Sequence, residues 1–312
     1  MRTFAEFGTG CGPRSIGLEQ AGFEPRATID ADADLVSTLR ANRPGWPAVI
    51  GETRAIDGRV PDLQGLSLLV GSYPVPPTAG GAGQDQIPEF IRLVREAQPE
   101  AFLLDCAPDL GGTRWASYRT GLMRPLRGDG PWQMDGRIVR GGYHGTVRAA
   151  PRWMLVGFRD PRRLAAFAWP HPEGDPRTVG ELVGDLMAAG GWPGAAAWAA
   201  RADKVAPSAG AGRGKAWKAL GVNPLGLAKA VPGPEDPADL VPKLSLGMRV
   251  RLAGLPEDWQ FGAEKARERM RQLGLPFPLP MARAFGGAIR AALEGHADAR
   301  RVAAGTQMRM LG

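Results

Sequence analysis

The chain is expected to be an α/β protein built on a mostly parallel sheet with helices on both faces, and three observations predict this. Over the first ~160 residues, short apolar runs alternate with amphipathic segments, the pattern of strands joined by crossover helices. FAEFG precedes SIGLEQAG, FEPRATID precedes ADLVSTLRANRP, SLLVGS precedes PEFIRLVREAQP, and AFLLD and RWMLVGF follow. Gly8, Gly10 and Gly12 stand directly after the first strand and before a helix, at the carboxyl end of a strand, where such sheets bind ligands. Near the other terminus Met281, Phe285, Ile289 and Leu293 recur every four residues, which gives one apolar face of a helix that packs back on the sheet.

Residues 166 to 245 read differently. Ala, Gly, Pro and Trp fall in short pieces without a sustained period, and WPHPEGDP and VPGPEDPADLVPK read as loops. The expected organisation is therefore a sheet domain over 1–165, a small irregular domain over 166–262, and C-terminal helices over 263–312 that return to the first domain; 312 residues suit about two domains. No stretch approaches the ~18 apolar residues of a membrane span, and MRTFAEFG lacks the apolar centre of a secretion signal, so no membrane role and a cytoplasmic location are expected.

Composition narrows the chemistry further. Two cysteines, Cys11 and Cys106, make no disulfide framework, and three scattered histidines (His144, His171, His296) give no metal-ligand spacing, so no metal is expected. A net charge of +7 favours a polyanionic partner, although an Arg-rich, Ala/Gly/Pro-rich chain also arises from a GC-rich genome. The basic groups of RADKVAPSAGAGRGKAWKALGV, namely Arg201, Lys204, Arg213, Lys215 and Lys218, stand among short residues that let them approach phosphates; the alternative is a solvated linker. Arg159, Arg162 and Arg163 either extend this patch or cap a strand end.

The three glycines let backbone approach a nucleotide-like ligand at a helix N-terminus, or simply make a tight turn. Asp30 or Asp32, at the end of the next strand, either accepts from ribose hydroxyls or caps the following helix. The stretch LLVGSYPVPPTAGGAGQDQ is a strand running into a Pro/Gly-rich loop, the usual place for chemistry, yet between Gly71 and Gly83 no side chain can act as nucleophile or base.

In its order of segments the chain resembles the DNA (cytosine-5) methyltransferase family from end to end. The segments that carry the resemblance are GTGCG with SIGLEQAGFE, PEFIRLVREAQPEAFLLD, WMLVGFR, RGKAWKALGV, RLAGLPEDWQF, and RQLG followed by PLPMARAFGGAI. The resemblance implies a Rossmann-like sheet domain binding S-adenosylmethionine, a small target-recognition domain, and duplex DNA held between them.

It also implies a loss. The family's loop carries a Pro-Cys-Gln triplet whose thiolate attacks C6 of a flipped cytosine. Here those positions are Pro74, Val75 and Pro76, and an isopropyl group cannot attack. The Glu-Asn-Val motif becomes Asp105, Cys106 and Ala107, and Gln-x-Arg-x-Arg becomes Arg148, Ala150 and Arg152. The cofactor-packing Phe falls at Gly8, the ribose-binding acid at Thr28, the adenine-binding acid near Thr53, and the Asn of the last motif at Leu275. The cofactor seat, with Gly8, Gly10, Gly12 and Asp30 left to form it, is expected to be degraded.

Two function classes follow. One is a non-catalytic relative that binds DNA, through residues that include Arg148 and Arg152, or that pairs with an active methyltransferase subunit. The other is an enzyme, either with Cys106 as a displaced nucleophile and Asp105 as the ring acid, as several RNA methyltransferases place their thiol on the neighbouring strand, or redirected to another substrate. The first is preferred because cofactor-side and base-side groups are lost together. The other tryptophans, with Trp259, are expected to pack rather than stack on bases.

Overall fold

A computed structural model of the chain describes residues 1–73, 85–128, 130–140, 151–171, 176–207, 213–274 and 277–295. The loop positions Pro74, Val75 and Pro76, with Arg148, Ala150 and Leu275, lie outside them.

Among the described residues seven strands form one sheet, in the order β3-β2-β1-β4-β5-β7-β6. They are β1 (Arg2–Phe7), β2 (Phe23–Asp30), β3 (Ala48–Ile50), β4 (Leu68–Tyr73), β5 (Ala101–Cys106), β6 (Gln133–Arg140) and β7 (Pro151–Phe158). The first five pair in parallel, whereas β7 runs antiparallel to both β5 and β6. The crossover helices are α1 (Pro13–Gln20), α2 (Ala33–Asn42), α3 (Ile87–Ala97) and α4 (Ala116–Arg127), and α5 (Pro161–Ala166) follows the last strand. Because side chains alternate across a strand, β4 and β5 feed two cores. Leu69, Tyr73, Phe102, Leu104 and Cys106 pack under α3 and α4. Leu68, Val70, Ala101 and Leu103 pack on the other face with Phe4, Phe158 and the last helix.

That last helix, α11 (Leu279–Glu294), buries Met281, Phe285, Ile289 and Leu293 as the four-residue spacing predicts. It lies tight on α1: a Cβ at Gly17 would stand 2.6 Å from both the Ala282 Cβ and the Leu279 carbonyl oxygen, and one at Gly286 would stand 2.7 Å from the Ala21 Cβ. Small residues therefore set the helix separation.

Between the sheet and α11 the chain makes α6 (Val179–Ala188), α7 (Ala195–Arg201), α8 (Arg213–Ala219), α9 (Leu246–Leu252) and α10 (Ala266–Gly274). The region reads as irregular in sequence because its helices are short, although Thr178 and Glu181 make a reciprocal cap at the start of α6. Its own core holds Val183, Met187, Trp192, Trp198, Trp217, Val222 and Met248. The indole N–H of Trp198 donates to the Gly221 carbonyl at 3.0 Å and that of Trp192 to the Pro237 carbonyl at 2.9 Å, and Trp259 is buried beside α1 in a further cluster. These tryptophans pack, as expected. No helix among the described residues is long and apolar enough to cross a membrane.

Candidate functional site

A cavity of about 540 Å³ opens at the carboxyl ends of β1, β2 and β4. Its wall includes Gly8, Gly10, Asp30, Asp32, Thr53, Ser72, Arg14, Arg152 and Phe277. The glycine turn is held from below: Gly8 donates to the Ile29 carbonyl at 2.9 Å, and Gly10 donates to Asp30 Oδ2 at 2.9 Å. Asp30 Oδ1 accepts from the Asp32 N–H at 3.0 Å. Burial pushes the Asp30 carboxyl above its ordinary range, against the pull of those two backbone donors.

Asp32 is the cap of α2, accepting from Asp34 and Leu35 with Oδ1, while Oδ2 holds Arg271 of α10 at 2.6 Å. Thus both acids weighed as ribose acceptors are engaged within the protein at every oxygen. Thr28 is buried and donates to the Pro47 carbonyl at 3.2 Å, and Thr53 shares a hydrogen bond of 3.0 Å with the Tyr73 hydroxyl.

At Gly8, where the resemblance would place the cofactor-packing Phe, the backbone itself calls for glycine. Its φ is +68°, a region that favours glycine, and a Cβ there would meet the Ser72 carbonyl oxygen at 2.5 Å. A phenylalanine cannot occupy this position without moving β4.

On the floor of the cavity lies a buried array of alternating charge. Arg14, the second residue of α1, donates from Nε to Glu6 at 2.6 Å, from one terminal nitrogen to the Gly8 carbonyl at 2.8 Å, and from the other to Asp105 at 3.4 Å. Asp105 is fully buried on β5 and receives the Arg152 guanidinium from β7 in a two-pronged contact, with Nε at 2.5 Å from Oδ1 and a second nitrogen on Oδ2. Ser72 adds a bond of 2.8 Å to the same carboxylate, and Ser15 bonds Glu6. Burial pushes the Glu6 carboxyl up, with Arg14 beside it opposing. Two carboxylates thus face two guanidinium groups, which is how a dry interior tolerates charge.

Cys106 is the next residue on β5 and so projects to the opposite face. Its side chain is fully buried in the apolar cluster that holds Tyr73, Phe102, Leu104 and Trp153. Burial pushes the thiol well above its ordinary pKa, and the charge of Asp105 pushes it further. Asp105 and Cys106 are adjacent in sequence and are not brought together around one ligand.

The basic candidates separate in the same way. Arg152 is committed to Asp105, and Arg148 lies outside the described residues. Arg159 donates to the Gln98 carbonyl at 2.9 Å, Arg162 pairs with Asp160 at 2.9 Å and Arg163 reaches the Ala292 carbonyl at 3.3 Å, so this trio ties strand and helix ends. Arg201, Lys204, Lys215 and Lys218 are exposed, and Arg213 opens α8. No group of three or more candidate metal ligands occurs among the described residues. The residues that sequence reading missed are Glu6, Arg14 and Ser72; the signals for the first two were a charge inside FAEFG and another just before SIGLEQAG, and nothing in LLVGSY marked Ser72.

The sheet order, with a last antiparallel strand and the cavity at the strand ends, defines an α/β fold of the S-adenosylmethionine-dependent methyltransferase type. It matches DNMT2 of Spodoptera frugiperda with a TM-score of 0.63 at 11% identity, over 93% of this chain and 100% of that one. The Dnmt2 methyltransferase of S. pombe gives 0.59 at 13%, over 94% and 99%. In sequence, residues 2–196 match the profile of the C-5 cytosine-specific DNA methylase family. The type II methyltransferase M.NgoMIV of Neisseria gonorrhoeae is 32% identical over 94% of this chain and 98% of its own length. For M.NaeI of Lentzea aerocolonigenes the figures are 34%, 95% and 76%. The chain belongs to the C-5 cytosine-specific DNA methylase family.

Proposed function

We propose that this chain is a non-catalytic member of its family, retained for binding duplex DNA or for pairing with an active methyltransferase subunit. The observation that carries the reading is the state of the two groups that chemistry needs. The position of the ring acid, Asp105, is tied to Arg152, Arg14 and Ser72. The thiol that could replace the absent nucleophile is buried on the other face of the strand with its proton held by burial. Val75 supplies no electron pair in its place.

The cofactor seat supports the same reading. The cavity has the size of a small-molecule site, so a nucleoside cofactor is accommodated by volume. Its polar lining is reduced for S-adenosylmethionine, since each Asp30 and Asp32 oxygen already accepts at least one donor of the protein and the aromatic ring on the wall is Phe277 rather than a side chain at position 8. Weak cofactor binding is expected by calorimetry.

Incubation of purified protein with duplex DNA and tritium-labelled S-adenosylmethionine tests the proposal: no label is expected on the DNA, either for the wild type or for Val75→Cys, because the acid stays tied. Labelled DNA from the wild type overturns it. A thiol assay gives a second check. Neither Cys11 nor Cys106 is expected to react with Ellman's reagent in the native state between pH 7 and 9, and both react once guanidinium unfolds the chain. Native labelling of Cys106 favours the displaced-nucleophile enzyme instead.

A further inference from the structure

Strand β6 closes one end of the sheet, and its outer edge is bare. Its eight residues pair with β7 in unbroken register, from Gln133 opposite Phe158 to Arg140 opposite Pro151. Among the described residues its backbone makes no backbone hydrogen bond beyond β7. The other end of the sheet, β3, is only three residues long. A long open edge is a template for another strand, and proteins blunt such edges with bulges, prolines or outward charges. Here QMDGRIVR has neither bulge nor proline. Nor does Arg137 guard the edge, because it is turned onto its own fold: it pairs with Asp135 at 2.8 Å and lies 4.3 Å from the centre of the Trp169 ring.

The face of this edge that looks toward α4 is grooved. Alternation turns Met134, Gly136 and Ile138 to that side, where Met134 packs on the cluster beneath α3 and α4. A cavity of about 320 Å³ lies between α4 and β6, with Trp153 and Leu155 of β7 in its wall. Because Gly136 has no side chain, the apolar floor reaches the edge strand: a Cβ there would stand 3.2 Å from both the Trp153 ring and Leu155 Cδ1. Ile138, also in the wall, is 51% exposed. The α4 side of the rim is cationic. Arg119 donates to the Leu110 and Gly112 carbonyls and Arg127 is exposed, and neither forms an ion pair among the described residues. Residues 110–128 carry Arg114, Arg119, Arg124 and Arg127 without a single acid. Unpaired backbone groups, an apolar floor and a positive rim meet along one line. Duplex DNA offers no peptide ladder to the edge, and a second copy would bring the same arginines and a net charge of +7 against its like. An acidic polypeptide in extended form matches all three features.

We propose that the β6 edge and the α4 groove together dock an extended acidic segment of a partner protein. The segment adds a strand to β6, lays apolar side chains over Met134, Ile138 and Trp153, and sets carboxylates against Arg119 and Arg127. This site shares no residue with the cavity at the strand ends, so it stands or falls apart from the question of methyl transfer. The probe is a capped, fluorescein-labelled peptide, Glu-Glu-Val-Thr-Val-Thr-Val-Glu-Glu, followed by anisotropy. Saturable binding that weakens with salt is expected, and none for the peptide with lysine in place of every glutamate. Proline at the central valine keeps the charge but removes a ladder donor, and should weaken binding about tenfold or more. On the protein side, Ile138→Asp sets an acid on the edge and Arg127→Glu reverses the rim; each should weaken binding about tenfold. Circular dichroism confirms that both variants fold, as exposed substitutions should. Lack of saturation up to about 1 mM peptide overturns the proposal. Equal binding of the proline peptide shows attraction by charge alone and overturns strand addition. A short DNA duplex that displaces the peptide from the wild type, and binds Arg127→Glu more weakly, gives the face to nucleic acid instead. A dimer in light scattering that Ile138→Asp abolishes gives the edge to a second copy.

Discussion

Arg14 and Lys215 carry the same charge in surroundings that share little else. Arg14 is 2% exposed and touches Glu6, Asp105 and the Gly8 carbonyl. Lys215 stands exposed on a seven-residue helix with no acid in its segment. Removing a guanidinium from water costs several kcal/mol unless partners replace the lost hydration, so the sheet's buried arginines are bound into its fold. A solvated ammonium costs nothing to leave alone, and its charge remains available to a phosphate. The difference separates where this protein spends charge on holding itself together from where it offers charge outward.

The comparison breaks first at Asp105. Replacing it with leucine leaves Arg152 and Arg14 short of a counter-charge in the interior, and removal of one member of a buried pair costs about 3–5 kcal/mol. Urea unfolding should register that loss as a lowered midpoint. A loss below about 1 kcal/mol, the range of exposed ion pairs, would show that water reaches the array and that the site is open rather than locked.

Next in size is the glycine turn, which carries an internal control. Gly8 and Gly65 share a φ of +68°, but a Cβ at Gly8 would meet the Ser72 carbonyl oxygen at 2.5 Å, whereas nothing lies within 4 Å of one at Gly65. Alanine at Gly65 pays only for the left-handed backbone, about 1–2 kcal/mol. Alanine at Gly8 adds the displacement of β4, so its loss of stability is expected to exceed that of Gly65→Ala by about 1–3 kcal/mol, the cost of overpacking. Equal losses in urea unfolding would mean that the turn has room for a larger residue, and the argument against a restored phenylalanine would go with it.

How much of this was legible in sequence follows from the range over which each cause acts. Strands β1, β2, β4, β5 and β7 are apolar runs between turns, so alternation finds them; β6, QMDGRIVR, lies at the sheet edge with charges on both faces and gives no such signal. Helix α4 hides behind its arginines and Pro125. Asp105 and Cys106 stand out by position, and a period of two already says that adjacent strand residues face opposite ways. That Arg14 meets Asp105 across 91 positions is a product of packing; no local pattern in PRSIGLEQ points to β5. The lysine distribution, by contrast, is plain in the sequence, and only the fold shows which of its segments run together, as Ala228 does with Ser245.

The smallest expected effect sharpens the comparison most. If the lysines stand free for a partner, single changes Lys215→Gln, Lys229→Gln and Lys243→Gln should each leave the unfolding free energy within about 0.5 kcal/mol of the wild type, the range of exposed substitutions. The sign is also informative. Because residues 213–229 carry like charges without an acid among them, neutralising one relieves repulsion, and the change should lean toward stabilisation and fade as salt screens the field over about 8–10 Å. A loss of more than 1 kcal/mol at any of the three would mean that the lysine has an internal partner after all. Its charge would then belong to the fold, as that of Arg14 does, and the division between the two regions would fail at that residue.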